Sequence, residues 1–260
     1  MKFKPTILAR EESDLHLPRI LCLHGGGTNA RIFRAQCRGI LKHLQHEFRF
    51  VFAQAPFPSA AGPDVLSVYK QWGPFSRWLR ASPGDAESQD TVTELDRTLE
   101  TAMNLDTLEG ATGEWVGVLG FSQGAKLAAS LLYRQQRTPS LSKTNFRFGI
   151  LLAGSAPLAT LDPDYDLYPG PALSIPTIHM HGLHDPGLHR HRQLYASCRR
   201  DTAKLLEWDG HHRLPIKTKD LLPLAQQIRE LAEDTDAGWT SSLSFALEMK
   251  PLVSCLEVEI

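Results

Sequence analysis

The stretch "GVLGFSQGAKLA" occupies residues 117–128 and places Ser122 between Gly120 and Gly124. The apolar run before the serine predicts a buried strand, and the run after it predicts a helix. The letters GFSQG match G-x-S-x-G, in which a serine sits on a strained strand-to-helix turn and glycines prevent collisions with the neighbouring strand and helix. A buried strand end does not need a hydroxyl, whereas a nucleophile does. Because a five-residue pattern also recurs by chance, the rest of the chain has to supply the partners of a nucleophile.

Length and composition exclude several classes of protein. The chain has 260 residues, of which 42% are hydrophobic and 22% charged, which predicts one domain over residues 1–260 with a sizeable core. Lys and Arg number 28 against 29 Asp and Glu, so no basic excess points to nucleic acid or an anionic membrane. No apolar run is long enough for a membrane span or a signal peptide. Scattered cysteines without a C-x-x-C pair predict reduced, mostly buried thiols, and the expected location is cytoplasmic.

Short apolar runs alternate with helix-like stretches along most of the chain. The strand-like runs are residues 20–23, 48–53, 115–119, 148–152, 177–180 and 204–208. The helix-like stretches are residues 31–46, 91–108, 125–134, 189–199 and 218–231. This alternation predicts an α/β fold with a mostly parallel sheet and helices on both faces. Such sheets place their sites at the carboxyl ends of the strands, so the residues that follow each strand are the candidates.

Two regions depart from the alternation. Residues 56–90 are rich in Pro, Gly, Ser and Ala and are long for a plain connection, which predicts a loop insertion near the active site. Its aromatic residues Trp72, Phe75 and Trp78 either line an acyl pocket or anchor the loop. Residues 236–260 form a C-terminal tail that is apolar enough to pack but has no strong period.

Partners for Ser122 follow the last two predicted strands. Asp185 lies in "HGLHDPG", and His211 and His212 lie in "GHHRLP". A serine nucleophile needs a base, usually a histidine oriented by a carboxylate, and on such sheets the order is Ser, Asp, His. Taken alone, Asp185 would be the first residue of an Asp-Pro turn and each histidine a surface loop residue. Residue types, order and strand-end placement together favour a triad of Ser122, Asp185 and His212.

The loop after the first strand, "HGGGTN", is the expected oxyanion-binding loop. A tetrahedral intermediate needs hydrogen-bond donors, and we expect the backbone N–H groups of Gly26 and Gln123 to supply them, with Gly27 as the next choice. Residues 25–30 also spell G-x-G-x-x-A, a dinucleotide-binding pattern. That pattern requires an acidic residue after the second strand, where this sequence has Gln54, so no nucleotide cofactor is expected.

Histidines crowd one stretch of the chain: His179, His181, His184, His189 and His191. Imidazoles at strand ends can bind zinc. No matching cysteine or carboxylate cluster accompanies them, so packed or solvated histidines around a catalytic loop are the favoured interpretation, and no metal is expected.

At this point the sequence resembles a known family. "RILCLHGGGTNARIF", "FAQAP", "GVLGFSQGAKLA", "LLAGSAP", "IPTIHMHGLHDP" and "HHRLP" together resemble the fungal family of serine hydrolases related to human ovarian cancer-associated protein 2. The similarity covers residues 17–232 and implies an α/β-hydrolase fold with little or no cap domain. Family members often read GGHxxP near the end, which selects His212. Because His211 stands where the second glycine would be, the choice within the pair stays open.

Within that family, "HGGGTNARIF" and "QWGPF" resemble members from fungal polyketide gene clusters, such as the lovastatin-cluster thioesterase. The resemblance implies hydrolysis of a thioester or ester through an acyl-enzyme, with release of a polyketide chain from the acyl carrier of a synthase. The expected partners are an acyl substrate, free or carrier-bound, and a polyketide synthase, with no organic cofactor. Trp72, Phe75 and Ser155 are the substrate-binding candidates.

Two other functions remain as alternatives. One is a general carboxylesterase that acts on small or medium esters. The other is a catalytically inactive binding module of the same fold, against which the complete set of predicted triad and oxyanion residues argues.

Overall fold

The computed structural model describes residues 14–82, 85–140, 142–162 and 172–248, and its side chains are described up to residue 236. Cys255 and the end of the predicted tail, residues 249–260, lie outside the described residues. The three cysteines within them, Cys22, Cys37 and Cys198, are buried free thiols. None of the described helices is long and apolar enough to cross a membrane.

Six parallel strands form the main sheet in the order β2-β1-β5-β6-β7-β8. A separate antiparallel pair, β3 with β4, lies in the segment of residues 56–90. The strands are β1 (Arg19–Leu23), β2 (Arg49–Ala53), β3 (Phe57–Ser59), β4 (Phe75–Arg77), β5 (Trp115–Phe121), β6 (Phe148–Leu152), β7 (Thr177–Gly182) and β8 (Ala203–Trp208). β1 and β6 are buried along their whole length and, apart from Arg19 at the start of β1, contain no charged or polar side chain, as expected for parallel strands that are covered on both faces.

Helices cover both faces of this sheet. They are α1 (Ala30–Gln36), α2 (Arg38–Leu44), α3 (Val65–Tyr69), α4 (Gln89–Leu108), α5 (Gln123–Arg137), α6 (Leu188–Ala196) and α7 (Thr218–Glu248), with a 3-10 turn at Lys70–Trp72. Leu21 and Leu23 of β1 belong to the core layer that contains α4 and α5, whereas Ile20 and Cys22 belong to the layer that contains α1, α2 and α7. This alternation follows from the two-residue period of a strand.

The helices differ from the prediction mainly at their ends. The predicted helix of residues 31–46 is two helices, α1 and α2, that meet at Cys37, whose ψ is 0°. The helix predicted to end at residue 231 continues to Glu248, through part of the predicted tail. Residues 56–90 contain β3, α3, the 3-10 turn and β4, each five residues long or shorter, which is too short to produce a recognisable period.

The strand order determines where a site can form. β1 and β5 are neighbours, while the chain passes from β1 to β2 on one side before it returns to β5 on the other. The chain therefore leaves β1 and β5 in opposite directions, and the carboxyl ends of two such strands are the usual ligand position in these sheets. The glycine-rich loop after β1 and Ser122 after β5 lie at this point.

Candidate active site

Ser122 occupies the single position between β5 and α5. Its φ of 54° and ψ of −116° put it in a backbone region that residues with side chains rarely adopt. Two backbone hydrogen bonds hold it there: Ser122 N–H donates to the Leu152 carbonyl (2.9 Å), and the Ser122 carbonyl accepts from Lys126 N–H (3.0 Å). The turn points the serine side chain out of the sheet edge instead of into either core layer.

The two glycines of the GFSQG motif are required by close backbone approach. A Cβ atom at Gly120 would lie 2.3 Å from the Gly124 carbonyl oxygen, and one at Gly124 would lie 2.0 Å from the Leu23 carbonyl oxygen. Any side chain at either position would push the start of α5 away from β1 and β5. The glycines therefore hold Ser122 directly against the glycine-rich loop.

A chain of two hydrogen bonds joins three side chains from three loops. His212 Nε2 lies 2.9 Å from Ser122 Oγ, and His212 Nδ1 lies 2.6 Å from Asp185 Oδ2. The Asp185 side chain is only 2% exposed, and its Oδ1 accepts from Gly187 N–H (2.8 Å). The ring of Phe121 packs against the His212 ring at 5.1 Å between centroids. The carboxylate is therefore held on the side of the imidazole opposite to the serine.

The neighbouring His211 lies elsewhere. Its Nδ1 is 3.2 Å from the His184 carbonyl oxygen, and its ring packs against the His184 ring at 5.5 Å. Of the two adjacent histidines, the structure brings His212 to Ser122 and Asp185.

Gly26 and Gly27 of the glycine-rich loop differ in whether their N–H groups have partners. Gly27 N–H donates to the Ser76 carbonyl (2.9 Å), and the Gly27 carbonyl accepts from Gly62 N–H (2.9 Å). Gly27 has a φ of 73°, and a Cβ there would lie 2.2 Å from the Gly62 nitrogen. Gly26 N–H makes no hydrogen bond to any described residue. Gln123 is the first residue of α5, where the N–H group has no partner within the helix. Gly26 and Gln123, and not Gly27, thus have N–H groups available for a ligand.

His24 stabilises this loop through hydrogen bonds to the backbone, a role that was not predicted from the sequence. Its Nε2 accepts from Ala55 N–H (3.1 Å), so the proton is on Nδ1, which lies 2.8 Å from the Gly25 carbonyl oxygen. Burial lowers the pKa of His24 to about 4, so the ring is neutral near pH 7. The available signal was the position of His24 directly after a fully buried strand and before three glycines.

Trp78 and Gln123 join the segment of residues 56–90 to the site. Trp78 is fully buried, and its Nε1 donates to the His24 carbonyl (2.8 Å). The Gln123 side-chain oxygen accepts from Trp78 N–H (2.7 Å). Of the two roles considered for the aromatic residues, Trp78 takes that of a loop anchor.

The three substrate-binding candidates are half-buried: Trp72 ends the 3-10 turn, Phe75 begins β4, and Ser155 lies in a loop. The carbonyl of Trp72 accepts from Asn29 Nδ2 (2.6 Å), and its indole packs under the Arg31 guanidinium at 4.1 Å. Phe75 begins β4, whose next residue bridges to the glycine-rich loop. Ser155 lies in the loop after β6, and none of the hydrogen bonds described above links it to the triad side chains. Trp72 and Phe75 are thus tied to the site through their backbone, and Ser155 is the least connected of the three.

The crowded histidines separate into buried and exposed groups. His184 and His189 are exposed. His179, His181 and His191 are buried, and burial lowers the pKa of His179 to about 3 and of the other two to about 4. Ring centroids are 6.0 Å apart from His179 to His181, 5.5 Å from His181 to His191, and 5.9 Å from His191 to His212. The three buried imidazoles therefore form a row of ring contacts that leads from the interior to the exposed His212.

Comparison with known proteins places the chain in a family. The profile described as "Serine hydrolase (FSH1)" matches residues 14–223, so the chain belongs to this family of serine hydrolases. It is similar to the esterase claE of Penicillium crustosum, with 54% identity over 86% of this chain and 96% of the relative. It is also similar to the esterase citA of Monascus ruber, with 53% identity over 87% of this chain and 96% of the relative. These relatives identify the chain as a hydrolase.

Solved structures support the same fold. Acyl-protein thioesterase 2 of Zea mays has a TM-score of 0.55 and 17% identity, over 84% of this chain and 94% of that one. A carboxylesterase of Bacillus cereus has a TM-score of 0.52 and 15% identity, over 86% of this chain and 91% of that one. The fold is an α/β-hydrolase fold, and the described residues contain no separate cap domain.

Proposed function

We propose that the protein hydrolyses an acyl thioester or ester through an acyl-enzyme on Ser122, with His212 as the base and Asp185 as the orienting carboxylate. The observation that carries the proposal is the hydrogen-bond chain from Asp185 Oδ2 through His212 to Ser122 Oγ, with distances of 2.6 and 2.9 Å. The strained backbone of Ser122 adds support, because such strain concentrates at functional sites.

In the acylation step, Ser122 Oγ attacks the carbonyl carbon and His212 Nε2 takes its proton. The Asp185 carboxylate accepts the Nδ1–H of His212, which fixes the tautomer that leaves Nε2 free and stabilises the imidazolium that forms. The carbonyl oxygen becomes an oxyanion, which the N–H groups of Gly26 and Gln123 would bind. His212 then returns the proton to the leaving thiolate or alkoxide, which departs as a thiol or alcohol.

In the deacylation step, His212 takes a proton from water, and the resulting hydroxide attacks the acyl carbonyl. The second tetrahedral intermediate collapses, Ser122 Oγ leaves, and His212 reprotonates it. Both steps use residues of the chain alone, because the acyl group is transferred first to the serine and then to water.

For the substrate we propose a large acyl chain, released from the acyl carrier of a polyketide synthase. The proposal rests on the resemblance of "HGGGTNARIF" and "QWGPF" to polyketide-cluster members, and on the aromatic residues Trp72 and Phe75 beside the site. Aromatic side chains offer large apolar contact areas to such a chain. A carboxylesterase acting on small or medium oxygen esters is the second candidate, and the names of the esterase relatives favour it.

A fluorophosphonate probe tests the nucleophile. We expect labelling of wild type on Ser122 and none in Ser122→Ala, with Ser67→Ala, which removes an exposed serine hydroxyl, as the matched control. Mass spectrometry of the labelled peptide identifies the residue. Label on another residue, or an unlabelled wild type, would contradict the proposed mechanism.

A panel of matched thioesters and oxygen esters tests the substrate. Each acyl group is offered with both leaving groups, from acetyl to polycyclic, and kcat/KM is measured. Polyketide release predicts the highest values for large acyl thioesters. Highest values for acetyl oxygen esters would favour the carboxylesterase instead.

A further inference from the structure

We propose that Asp185, His191 and His212 form a binding site for Zn²⁺ and that Zn²⁺ bound there inhibits the enzyme. Among the described residues, one ligand atom from each of these three side chains lies within 4.8 Å of the other two. His191 Nδ1 is 3.8 Å from Asp185 Oδ2, and His212 Nδ1 is 2.6 Å from the same oxygen. Two imidazole nitrogens and one carboxylate oxygen are a ligand set typical of zinc.

The distances are close to those that zinc requires. Tetrahedral zinc with bonds of about 2.0–2.2 Å separates its ligand atoms by about 3.4 Å. The gap between His212 Nδ1 and Asp185 Oδ2 would have to open from 2.6 Å, and that between His191 Nδ1 and Asp185 Oδ2 would have to close from 3.8 Å. Both are movements of less than about 1 Å. His212 can open the first gap, because its side chain is 42% exposed and belongs to a loop, whereas the second requires a shift of the buried His191 or Asp185 side chain.

The Nδ1 atom of His191 is buried near this position and makes no hydrogen bond within the described part of the chain. Its side chain is 3% exposed, and its Nδ1 makes no hydrogen bond to any described residue. A buried polar atom without a partner is rare and calls for an explanation. A neutral imidazole can coordinate zinc through Nδ1 when its proton is on Nε2.

The surroundings hold the central ligand. Asp185 Oδ1 accepts from Gly187 N–H at 2.8 Å, which leaves Oδ2 for the metal. Such outer hydrogen bonds orient the ligands of metal sites. Two exposed basic side chains act on the buried histidines nearby: Arg192 acts on His181, and His189 acts on His191.

Inhibition follows from the tautomer that the metal would impose, and this step rests on the proposed function. Zinc binds the Nδ1 lone pair of His212, so the proton that Nδ1 carried must move to Nε2. An Nε2 that already holds a proton cannot accept the proton of Ser122. The metal therefore occupies the position of the Asp185–His212 hydrogen bond and removes the base without touching the nucleophile.

Calorimetric titration of the Ser122→Ala variant with ZnCl₂ tests the site independently of catalysis. We expect one zinc per chain with unchanged affinity in Ser122→Ala, and affinity lower by about 100-fold or more in His191→Phe. Loss of an outer-shell partner alone costs up to about 100-fold, and loss of a direct ligand should cost at least as much. His191→Asn provides a second variant that decides the question if His191→Phe does not fold. His184→Asn, which removes an exposed histidine paired with Asp209, is the matched control and should bind zinc like wild type.

The same variants are then assayed for hydrolysis with added ZnCl₂ or MgCl₂. Zinc should inhibit wild type and His184→Asn, the His191 variants should need about 100-fold more zinc, and magnesium should have no effect, because it prefers oxygen ligands. Zinc binding that is equal in wild type and both His191 variants would overturn the site. His191-dependent binding without inhibition would retain the site and overturn the proposed role of His212, and inactivity without zinc would count against the proposed function alone.

Discussion

Replacing Asp185 with Asn changes one atom of the hydrogen-bond chain and keeps its shape. In the native site, Oδ1 accepts from Gly187 N–H at 2.8 Å and Oδ2 accepts from His212 Nδ1 at 2.6 Å. An asparagine keeps one acceptor and gains an NH₂ donor. The favoured orientation leaves the amide oxygen on Gly187 N–H and turns the NH₂ group toward His212 Nδ1, because the opposite orientation sets two donors against each other and costs about 1–3 kcal/mol.

This orientation determines the size of the effect. His212 Nδ1 must now accept a hydrogen bond, so the proton moves to Nε2, which can no longer take the proton of Ser122. A wrong tautomer of this kind lowers kcat by about 10⁴ in serine enzymes, equivalent to about 5 kcal/mol in the barrier. Because both side chains fill the same space, the melting temperature should change little.

The assay compares kcat of Asp185→Asn and wild type on one ester and one thioester, with circular dichroism to verify folding. Asp209→Asn is the matched control, because that carboxylate is 79% exposed and pairs with His184 instead. It should retain wild-type kcat. A loss of less than tenfold in a folded Asp185→Asn variant would refute the role proposed for the carboxylate.

Three further predictions concern the proposed base His212, the substrate-binding candidate Trp72 and stability in acid. His212→Ala should lower kcat by about 10⁴ or more, whereas His211→Ala should change it less than a few-fold; equal losses would contradict the proposed base. Trp72→Ala should reduce kcat/KM for long acyl chains by about fourfold for each methylene group that it leaves unburied, and should not change kcat/KM for acetyl substrates. Trp72→Phe is the control. An unchanged dependence of kcat/KM on acyl size would argue against a contact between Trp72 and the acyl chain. Four buried histidines have lowered pKa values of about 3 to about 4: His24, His179, His181 and His191. Below pH about 6.5 the unfolded chain binds protons at these histidines that the folded chain does not bind. The free energy of unfolding should therefore be fully retained above that pH. Between pH 6 and 4 it should fall by roughly 1 kcal/mol per pH unit for each histidine. The urea midpoint at pH 7 and pH 5 measures this loss, and equal midpoints would disprove it.

The main sheet was predictable because each of its strands is short, apolar and bounded by loop residues. The run at residues 148–152 coincides with β6, and the other five strands differ by one or two residues at one end. The break at Cys37 was not predictable, since the apolar period continues across it and the change of direction depends on packing between α2 and α7. Gly39 in α2 lies so close to α7 that a Cβ there would be 2.6 Å from Leu221 Cδ1.

The residue types of the candidate site could be predicted from the sequence, whereas the contacts that hold them in place could not. Ser122, Asp185 and His212 were chosen because each follows a strand, and the structure places His212 within hydrogen-bond distance of both Ser122 and Asp185. The contacts that support these residues depend on which groups the fold brings together. The contact of His24 Nε2 with Ala55 N–H, and that of His191 with Asp185, have no fixed spacing in the sequence.

Backbone hydrogen bonds join the glycine-rich loop to the segment of residues 56–90, and these bonds limit which substitutions can change the substrate range. Gly27 bonds both Gly62 and Ser76 through its backbone, and Gln123 bonds the N–H of Trp78. Because these contacts also fix where the N–H groups of Gly26 and Gln123 point, moving the segment would move the expected oxyanion donors. If the proposed acyl site is correct, side chains of the segment that line it can vary freely only while these backbone hydrogen bonds remain. Substitutions that alter acyl preference should then cluster at residues such as Trp72 and Phe75 and spare Gly27 and Gly62, since a Cβ at Gly62 would lie 2.8 Å from the Gly26 carbonyl oxygen.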